Sequence, residues 1–283
     1  MKNTTGKTVV CGVIGSPIEH TLSPLIHETI ARQLGHDLAY VPFLVEDDLQ
    51  AAIKGAHALH IKGLNVTMPH KQEVMASVIE MDEMAVKVGA VNTLVRMPLG
   101  YKGYNTDAMG LRYALEQNKL DYKDKNIAII GSGGAAYATV VSVMDKAKSI
   151  HAFNRTKANA MCLKTHFEEA YGIKIEVYAE TDKPKVDIDY VIQTTGVGMG
   201  RLENQMPVCT SALLEKAQIA VDLIYNPKET LFLKEAKARG CQVINGFDML
   251  FYQAVIAYEL MHHCTIEKNQ SDEIREILLQ KIG

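Results

Sequence analysis

Two groups of residues in this chain have the types and spacing for chemistry. The first is Gly131-Ser132-Gly133-Gly134-Ala135-Ala136, which follows at once on a β-branched run at 127–130. A helical apolar pattern comes next, and a second strand-like run at 150–153 ends in Asn154-Arg155-Thr156-Lys157. Strand, glycine turn, helix and strand within about thirty residues is the setting in which G-x-G-x-x-G/A reads as a dinucleotide site. Gly131 permits the sharp turn, and Gly133 lets backbone approach a pyrophosphate seated on the helix N-terminus. Gly134 and Ala135 continue that loop. Ala136 stands at the third glycine position and still allows close helix–strand packing. An NAD site usually carries Asp or Glu about 20 residues further on, for the ribose 2′-hydroxyl. Here Arg155 and Lys157 flank the hydroxyl of Thr156, which suits a 2′-phosphate and so NADP, with NAD as the alternative. The plainer reading is a glycine turn in an α/β fold followed by a solvated basic cluster.

The second group lies upstream. Lys71 and Asp107 form the titratable pair worth isolating. Oxidising a secondary alcohol with a nicotinamide needs a group to take the hydroxyl proton as hydride leaves. A lysine shifts its pKa readily when desolvated, and a neighbouring carboxylate can orient it. Spacing alone does not pair residues this far apart. A first-turn lysine and a helix-capping aspartate are the ordinary readings. Asn65, Thr67, Asn92, Thr93 and Asn105 fall at expected strand ends, and each amide or hydroxyl both donates and accepts, as a polyhydroxylated ligand requires. Caps and turns use the same residue types.

The elements that position these groups alternate. Strands are expected at 8–14, 39–44, 63–67, 90–96, 101–104, 127–130, 150–153, 173–178, 190–193, 219–224 and 242–244. Helices are expected from an N-cap at Ser23 with Pro24 at the first position, at 46–56, from Pro69 onward carrying Lys71, and at 81–88, 108–117, 137–146 and 230–239. This alternation predicts an α/β fold with mainly parallel sheets, whose ligands sit beyond the carboxyl ends of the strands. After residue 245 the pattern changes to two long helices, 247–263 and 271–281. They are expected to pack back on the first domain and make it discontinuous.

The 283 residues suffice for two domains with real cores. A hydrophobic content of 47% and a net charge of −3, with Lys and Arg dispersed, speak against a nucleic-acid partner. No apolar run approaches the length of a membrane span. Cys11, Cys162, Cys209, Cys241 and Cys264 are odd in number and lack paired CxxC spacing, so neither a disulfide frame nor a metal site is expected. The start Met1-Lys2-Asn3-Thr4-Thr5-Gly6-Lys7 is too short and polar for a signal peptide, which points to the cytoplasm.

Several blocks in order resemble the shikimate dehydrogenase family, including its quinate/shikimate branch. They are Gly15-Ser-Pro-Ile-Glu-His20-Thr21-Leu-Ser23-Pro24, Asn65-Val-Thr67-Met-Pro69-His-Lys71, Gly89-Ala-Val-Asn92-Thr93 and Gly103-Tyr-Asn105-Thr106-Asp107-Ala-Met-Gly110. The glycine turn, Asn154-Arg155-Thr156 and Asn245-Gly246-Phe-Asp-Met249-Leu-Phe-Tyr-Gln253-Ala254 complete the series. The resemblance implies two α/β domains with a cleft between them. Residues 1–105 plus 247–283 would form the substrate domain, and 106–246 a Rossmann-type doubly wound NADP domain. It implies Lys71 and Asp107 as the catalytic pair. Thr21, Ser23, Asn65, Thr67, Asn92, Tyr225 and Gln253 would hold the ring hydroxyls and carboxylate. Gly131, Gly133, Gly134 and Ala135 would bind pyrophosphate, and Asn154, Arg155 and Thr156 the ribose phosphate. Leu223, Gly246 and Met249 would lie at the cofactor. The implied reaction is reversible, NADP-dependent reduction of 3-dehydroshikimate to shikimate, in aromatic amino acid biosynthesis, by a monomer or homodimer. Departures from the family pattern bear on preference. Thr21 replaces a more usual serine and adds a methyl at the carboxylate end, which keeps quinate open as a substrate. Glu28 follows His27 where Asn is commoner, Thr195 stands at a usual serine, and Ser132 replaces a usual alanine.

Overall fold

The computed structural model describes residues 4–282; the first three residues of the polar start, Met1-Lys2-Asn3, and Gly283 lie outside the described residues. The chain divides into two compact units, one of the residues up to Gly110 together with those from Phe251 on, the other Leu111–Leu250.

In the first unit the order is β1 (Val9–Gly15), α1 (Ser23–Gln33), β2 (Leu38–Leu44), α2 (Leu49–Ala58), β3 (Gly63–Val66), a short 3₁₀ turn at Glu73–Ser77, β4 (Glu80–Met81), α3 (Glu83–Val88), β5 (Thr93–Met97) and β6 (Gly100–Tyr104). Helix α4 (Asp107–Gln117) then carries the chain into the second unit. The strands form one sheet in the order β2-β1-β3-β5-β6-β4. Strands β2 and β3 run parallel to β1, but β5 is antiparallel to β3 and β6 to β5. Strand β4 runs parallel to β6, so five of the six strands point the same way and β5 alone runs against them: the sheet is mainly parallel, as expected, with one antiparallel strand. Only two residues, Pro98 and Leu99, separate β5 from β6, and a connection that short joins antiparallel strands alone. Ile14, Ile53, Leu64, Val66, Leu94 and Tyr101 pack together in the core of this unit.

The second unit continues with β7 (Asn126–Ile130), α5 (Gly134–Val143), β8 (Ser149–Asn154), α6 (Lys157–Tyr171), β9 (Ile175–Ala179), β10 (Tyr190–Gln193), α7 (Thr210–Leu213), β11 (Ile219–Asp222), α8 (Leu231–Ala238) and β12 (Gln242–Ile244). Its sheet is wholly parallel, in the order β12-β11-β10-β7-β8-β9. Counted from β7, this is the doubly wound order 3-2-1-4-5-6, whose strand order reverses between β7 and β10. Strands β10 and β11 are buried throughout, as a sheet covered on both faces requires. Helices α9 (Phe247–His262) and α10 (Lys268–Ile282) close the chain.

Three local expectations change. Helix α1 begins at Ser23 with Leu22 at the cap and no side-chain capping bond. Instead the Ser23 N–H donates to Thr21 Oγ1 at 3.2 Å. No helix starts at Pro69. Residues 68–72 form a turn, and the Lys71 carbonyl accepts from Val91 N–H at 2.8 Å, a bond no helix interior would allow. Helix α6 was not expected; its buried residues Ala160, Leu163 and Phe167 are too few to stand out against a polar surround.

Candidate active site

The register of the first sheet gathers the polar residues. Asn65 lies opposite Thr93, and Thr93 opposite Tyr104. Strands β3 and β6 contribute their carboxyl ends, whereas β5, being antiparallel, contributes its amino end. Asn105 follows β6 directly, and its Oδ1 accepts from the N–H groups of Asp107 (3.1 Å) and Ala108 (3.4 Å). That side chain caps helix α4 and sets Asp107 on its first turn.

Lys71 and Asp107 meet there. Lys71 Nζ donates to Asp107 Oδ2 at 2.7 Å. Asp107 Oδ1 accepts from Asn92 Nδ2 at 2.9 Å, so both carboxylate oxygens are held. The Lys71 side chain is 29% exposed and that of Asp107 12%, so the amine is the more accessible of the two. An ammonium has three hydrogens and this one uses a single hydrogen on Asp107, leaving it able to meet a ligand oxygen. The turn carrying Lys71 is pinned by the Val91 bond and by buried His70, whose Nε2 lies 2.7 Å from the Val45 carbonyl.

Around the pair the amides form a closed set. Asn92 Nδ2 also donates to Thr106 Oγ1 at 3.0 Å, while Asn92 Oδ1 accepts from the Thr106 N–H at 2.8 Å and Thr93 Oγ1 at 3.1 Å. Both hydrogens and both lone pairs of Asn92 are thus engaged within the protein, and a ligand reaching it must replace one of these bonds. Gln253 joins the set, its Oε1 accepting from Thr106 Oγ1 at 3.3 Å. A Cβ on Gly110 would stand 2.7 Å from the Gln253 backbone nitrogen, so only glycine lets α4 approach this part of α9. Thr21 Oγ1 donates to Ser23 Oγ at 3.1 Å, and both residues are half-buried, as is Thr67. Thr93 joins the cluster as its place at a strand end suggested, and Tyr40 and Thr106 belong to it although sequence reasoning did not single them out. Thr106 had a signal in the run Asn105-Thr106-Asp107, whereas Tyr40 sits in an apolar strand and had none.

The second unit presents a cleft at its strand-order reversal. Ile130 and Gly131 at the end of β7, Asn154, Arg155 and Thr156 at the end of β8, and Thr195 and Gly196 after β10 line it, with Glu180 and Gln205. Gly131 has φ +113°, and a Cβ there would stand 2.5 Å from Thr194 Oγ1. By contrast, a Cβ on Gly133 or Gly134 would meet nothing within 4 Å. The fold does not require those two glycines, and the space over the start of α5 suits a pyrophosphate. Asn154 Nδ2 donates to the Thr156 carbonyl at 2.8 Å and shapes the turn on which exposed Arg155 stands. Gln193 organises the facing loop, donating to the Thr195 and Val197 carbonyls at 3.2 and 2.9 Å. Elsewhere in this unit the Gly246 N–H donates to the Ile224 carbonyl at 3.0 Å, and a Cβ on Gly246 would stand 2.0 Å from the Leu223 carbonyl oxygen. Leu223, Tyr225 and Met249 are half-buried, and burial raises the Tyr225 phenol pKa.

The pattern of the shikimate dehydrogenase substrate binding domain matches residues 13–94, the stretch holding Thr21, Ser23, Asn65, Thr67, Lys71 and Asn92. Shikimate dehydrogenase (NADP(+)) of Methanosphaera stadtmanae is 40% identical over 264 residues, covering 90% of this chain and 92% of that one. The chain belongs to the shikimate dehydrogenase family. Solved structures agree. A shikimate dehydrogenase crystallised with NADP+ superposes with a TM-score of 0.89 at 36% identity, over 99% of this chain and 97% of its own. The Listeria monocytogenes shikimate 5-dehydrogenase, crystallised with shikimate and NAD, gives 0.88 at 31% identity, over 98% and 99%. The family's two-domain α/β architecture with a Rossmann-type second domain is the fold seen here. Among the described residues no helix is long and apolar enough to cross a membrane.

One carboxylate of the second unit is buried at the end of an inner strand. Asp222 at the end of β11 is fully buried, accepting from Thr230 Oγ1 at 2.6 Å and Ile224 N–H at 3.0 Å. Burial pushes its pKa up to about 6. A carboxyl raised in the folded state favours folding most below its unfolded pKa, and that contribution is lost as pH rises through about 6. Relative to the wild type, Asp222→Asn is therefore expected to show a smaller fall in Tm between pH 5 and pH 8. A variant whose Tm falls as steeply as the parent's over that range contradicts the assignment.

Proposed function

We propose that this chain is an NADP-dependent oxidoreductase acting on a CH–OH group, interconverting shikimate and 3-dehydroshikimate. The observation that carries the reading is the Lys71–Asp107 pair at 2.7 Å, set among buried amides and hydroxyls in a chain 40% identical to a shikimate dehydrogenase (NADP(+)). Bound NADP would supply the hydride acceptor for the alcohol and, as NADPH, the donor for the ketone. Lys71 holds and moves the proton at the reacting oxygen and stabilises charge developing there. Asp107, fixed through its other oxygen by Asn92, orients the amine. Asn65, Thr67 and Gln253 bind ring hydroxyls, and Thr21 and Ser23 the carboxylate. Gly131, Gly133, Gly134 and Ala135 would hold the pyrophosphate, and Asn154, Arg155 and Thr156 the 2′-phosphate. Tyr225 would meet the ring acid, and Leu223, Gly246 and Met249 would line the nicotinamide side. Residues 1–105 with 247–283 would serve the ring acid and 106–246 the nucleotide.

Steady-state rates with shikimate and quinate, each with NADP and NAD, test the reading. Shikimate with NADP is expected to dominate. Dominant quinate turnover with NAD would overturn it in favour of a quinate/shikimate dehydrogenase. Thr21 and the Listeria structure with NAD are the reasons both alternatives belong in the assay. Five free cysteines, three of them buried, support a reducing, cytoplasmic setting. Small-molecule substrates as the only partners, and a monomer or homodimer, complete the proposal.

A further inference from the structure

We propose that Tyr40 is a positioning residue for the reaction, its phenol holding through Asn65 the end of a buried chain of side chains that terminates on Asp107. The role presupposes the ring-alcohol chemistry proposed above. Tyr40 lies on β2, is 3% exposed, and donates to Asn65 Oδ1 at 2.6 Å. The direction of that bond follows from its neighbours. Asn65 Nδ2 lies 3.3 Å from the Asn92 carbonyl, which can only accept, so the amide nitrogen faces Asn92 and the oxygen faces Tyr40. The phenol must then be the donor. Burial raises its pKa well above the ordinary tyrosine value, so the proton stays on the oxygen.

Each further link follows from the one before. The second hydrogen of Asn65 Nδ2 goes to Thr93 Oγ1 at 3.0 Å. Thr93, having accepted, donates to Asn92 Oδ1 at 3.1 Å. Asn92 turns its nitrogen outward to Asp107 Oδ1 at 2.9 Å, and the far oxygen of that carboxylate holds Lys71. Two consequences concern the ligand. Both hydrogens of Asn65 are engaged, so one lone pair of its Oδ1 is what remains for the ring acid. Asn65 therefore meets a hydroxyl, which can donate, and not a keto oxygen, which cannot. The carboxylate that orients Lys71 is in turn held by an amide whose setting traces back to Tyr40. His27 supports the tyrosine from behind, its ring stacked on that of Tyr40 at 4.2 Å and 15°. It is 1% exposed, and burial lowers its pKa to about 3, so a neutral ring packs against the phenol.

Tyr40→Phe keeps the stacked ring and removes only the hydroxyl. It is expected to lower kcat/KM for the ring acid by about 10-fold, as a buried acceptor loses its donor, with KM for NADP changed less than about twofold. Thr93→Val breaks the same chain further on and is expected to match it. The double variant should be little worse than either single one, because residues of one network are not additive. A readout independent of substrate comes from selective ¹⁵N labelling of asparagine side chains. The Asn65 and Asn92 amide hydrogens should exchange slowly in the wild type and faster in both variants. Unchanged exchange in Tyr40→Phe, fully additive penalties, or equal losses for acid and nucleotide with a large fall in Tm would each overturn the role. Wild-type protein without turnover of shikimate would sink the substrate reading instead, and amide exchange would still decide whether Tyr40 sets the network.

Discussion

Lys71→Ala is expected to lower kcat by about 10²-fold or more, the usual loss when a positioned proton-transfer group is removed. The change in KM for the ring acid should be much smaller. The asymmetry comes from how the site is held. Lys71 is tied to the rest of the cluster by its bond to Asp107 Oδ2, whereas Asp107 keeps a second attachment through Oδ1 to Asn92 at 2.9 Å. Deleting the amine therefore removes the group that handles the proton and leaves the surrounding amides, the Asn105 cap and the Gln253 contact in place. Lys71→Met serves as a control for side-chain bulk, since it fills the same space without an amine. Both variants should bind NADP as the wild type does. Measured kcat within a few-fold of wild type in either variant would remove Lys71 from the chemistry.

Different parts of this site were legible in the sequence for different reasons. The glycine turn and Arg155 stood out because strand, turn and helix chemistry are local, and the doubly wound sheet forms around them as expected. Lys71 and Asp107 could be named but not joined. Their meeting depends on the register of β3 against β5 and of β5 against β6, and on a turn bonded to Val91, and none of these is a property of neighbouring residues. The helix expected from Pro69 illustrates the same point. Proline suits a helix start, but the long-range bond of the Lys71 carbonyl overrides that preference. Tyr40 was invisible because a strand of apolar residues hides one hydroxyl whose partner, Asn65, is on another strand. The antiparallel pairing of β5 with β6 likewise follows from a two-residue connection between two strands that the pattern placed separately.

Arg155→Ala is expected to raise KM and Kd for NADP by about 10- to 100-fold, as loss of charge-assisted hydrogen bonds to a phosphate implies, while NAD changes by less than about twofold. Arg155 is exposed at the rim of the second unit's cleft, on a turn held by the Asn154 bond to the Thr156 carbonyl. A guanidinium presents two parallel N–H groups to one phosphate, which a hydroxyl in the same place would not need. The charge balance of the cleft sharpens the contrast. Glu180 also lines it, with Oε1 accepting from the Val208 N–H at 2.9 Å. Once Arg155 is gone, that carboxylate remains near an incoming 2′-phosphate and penalises NADP, whereas the neutral ribose of NAD feels far less of it. Two further signs follow. The NADP Kd of the variant should depend less on salt than that of the wild type, because a screened charge pair has been deleted. Arg155→Lys should recover part of the NADP affinity, since it restores the charge but not the fork. Equal losses for the two nucleotides would show that Arg155 holds the turn and does not read the phosphate.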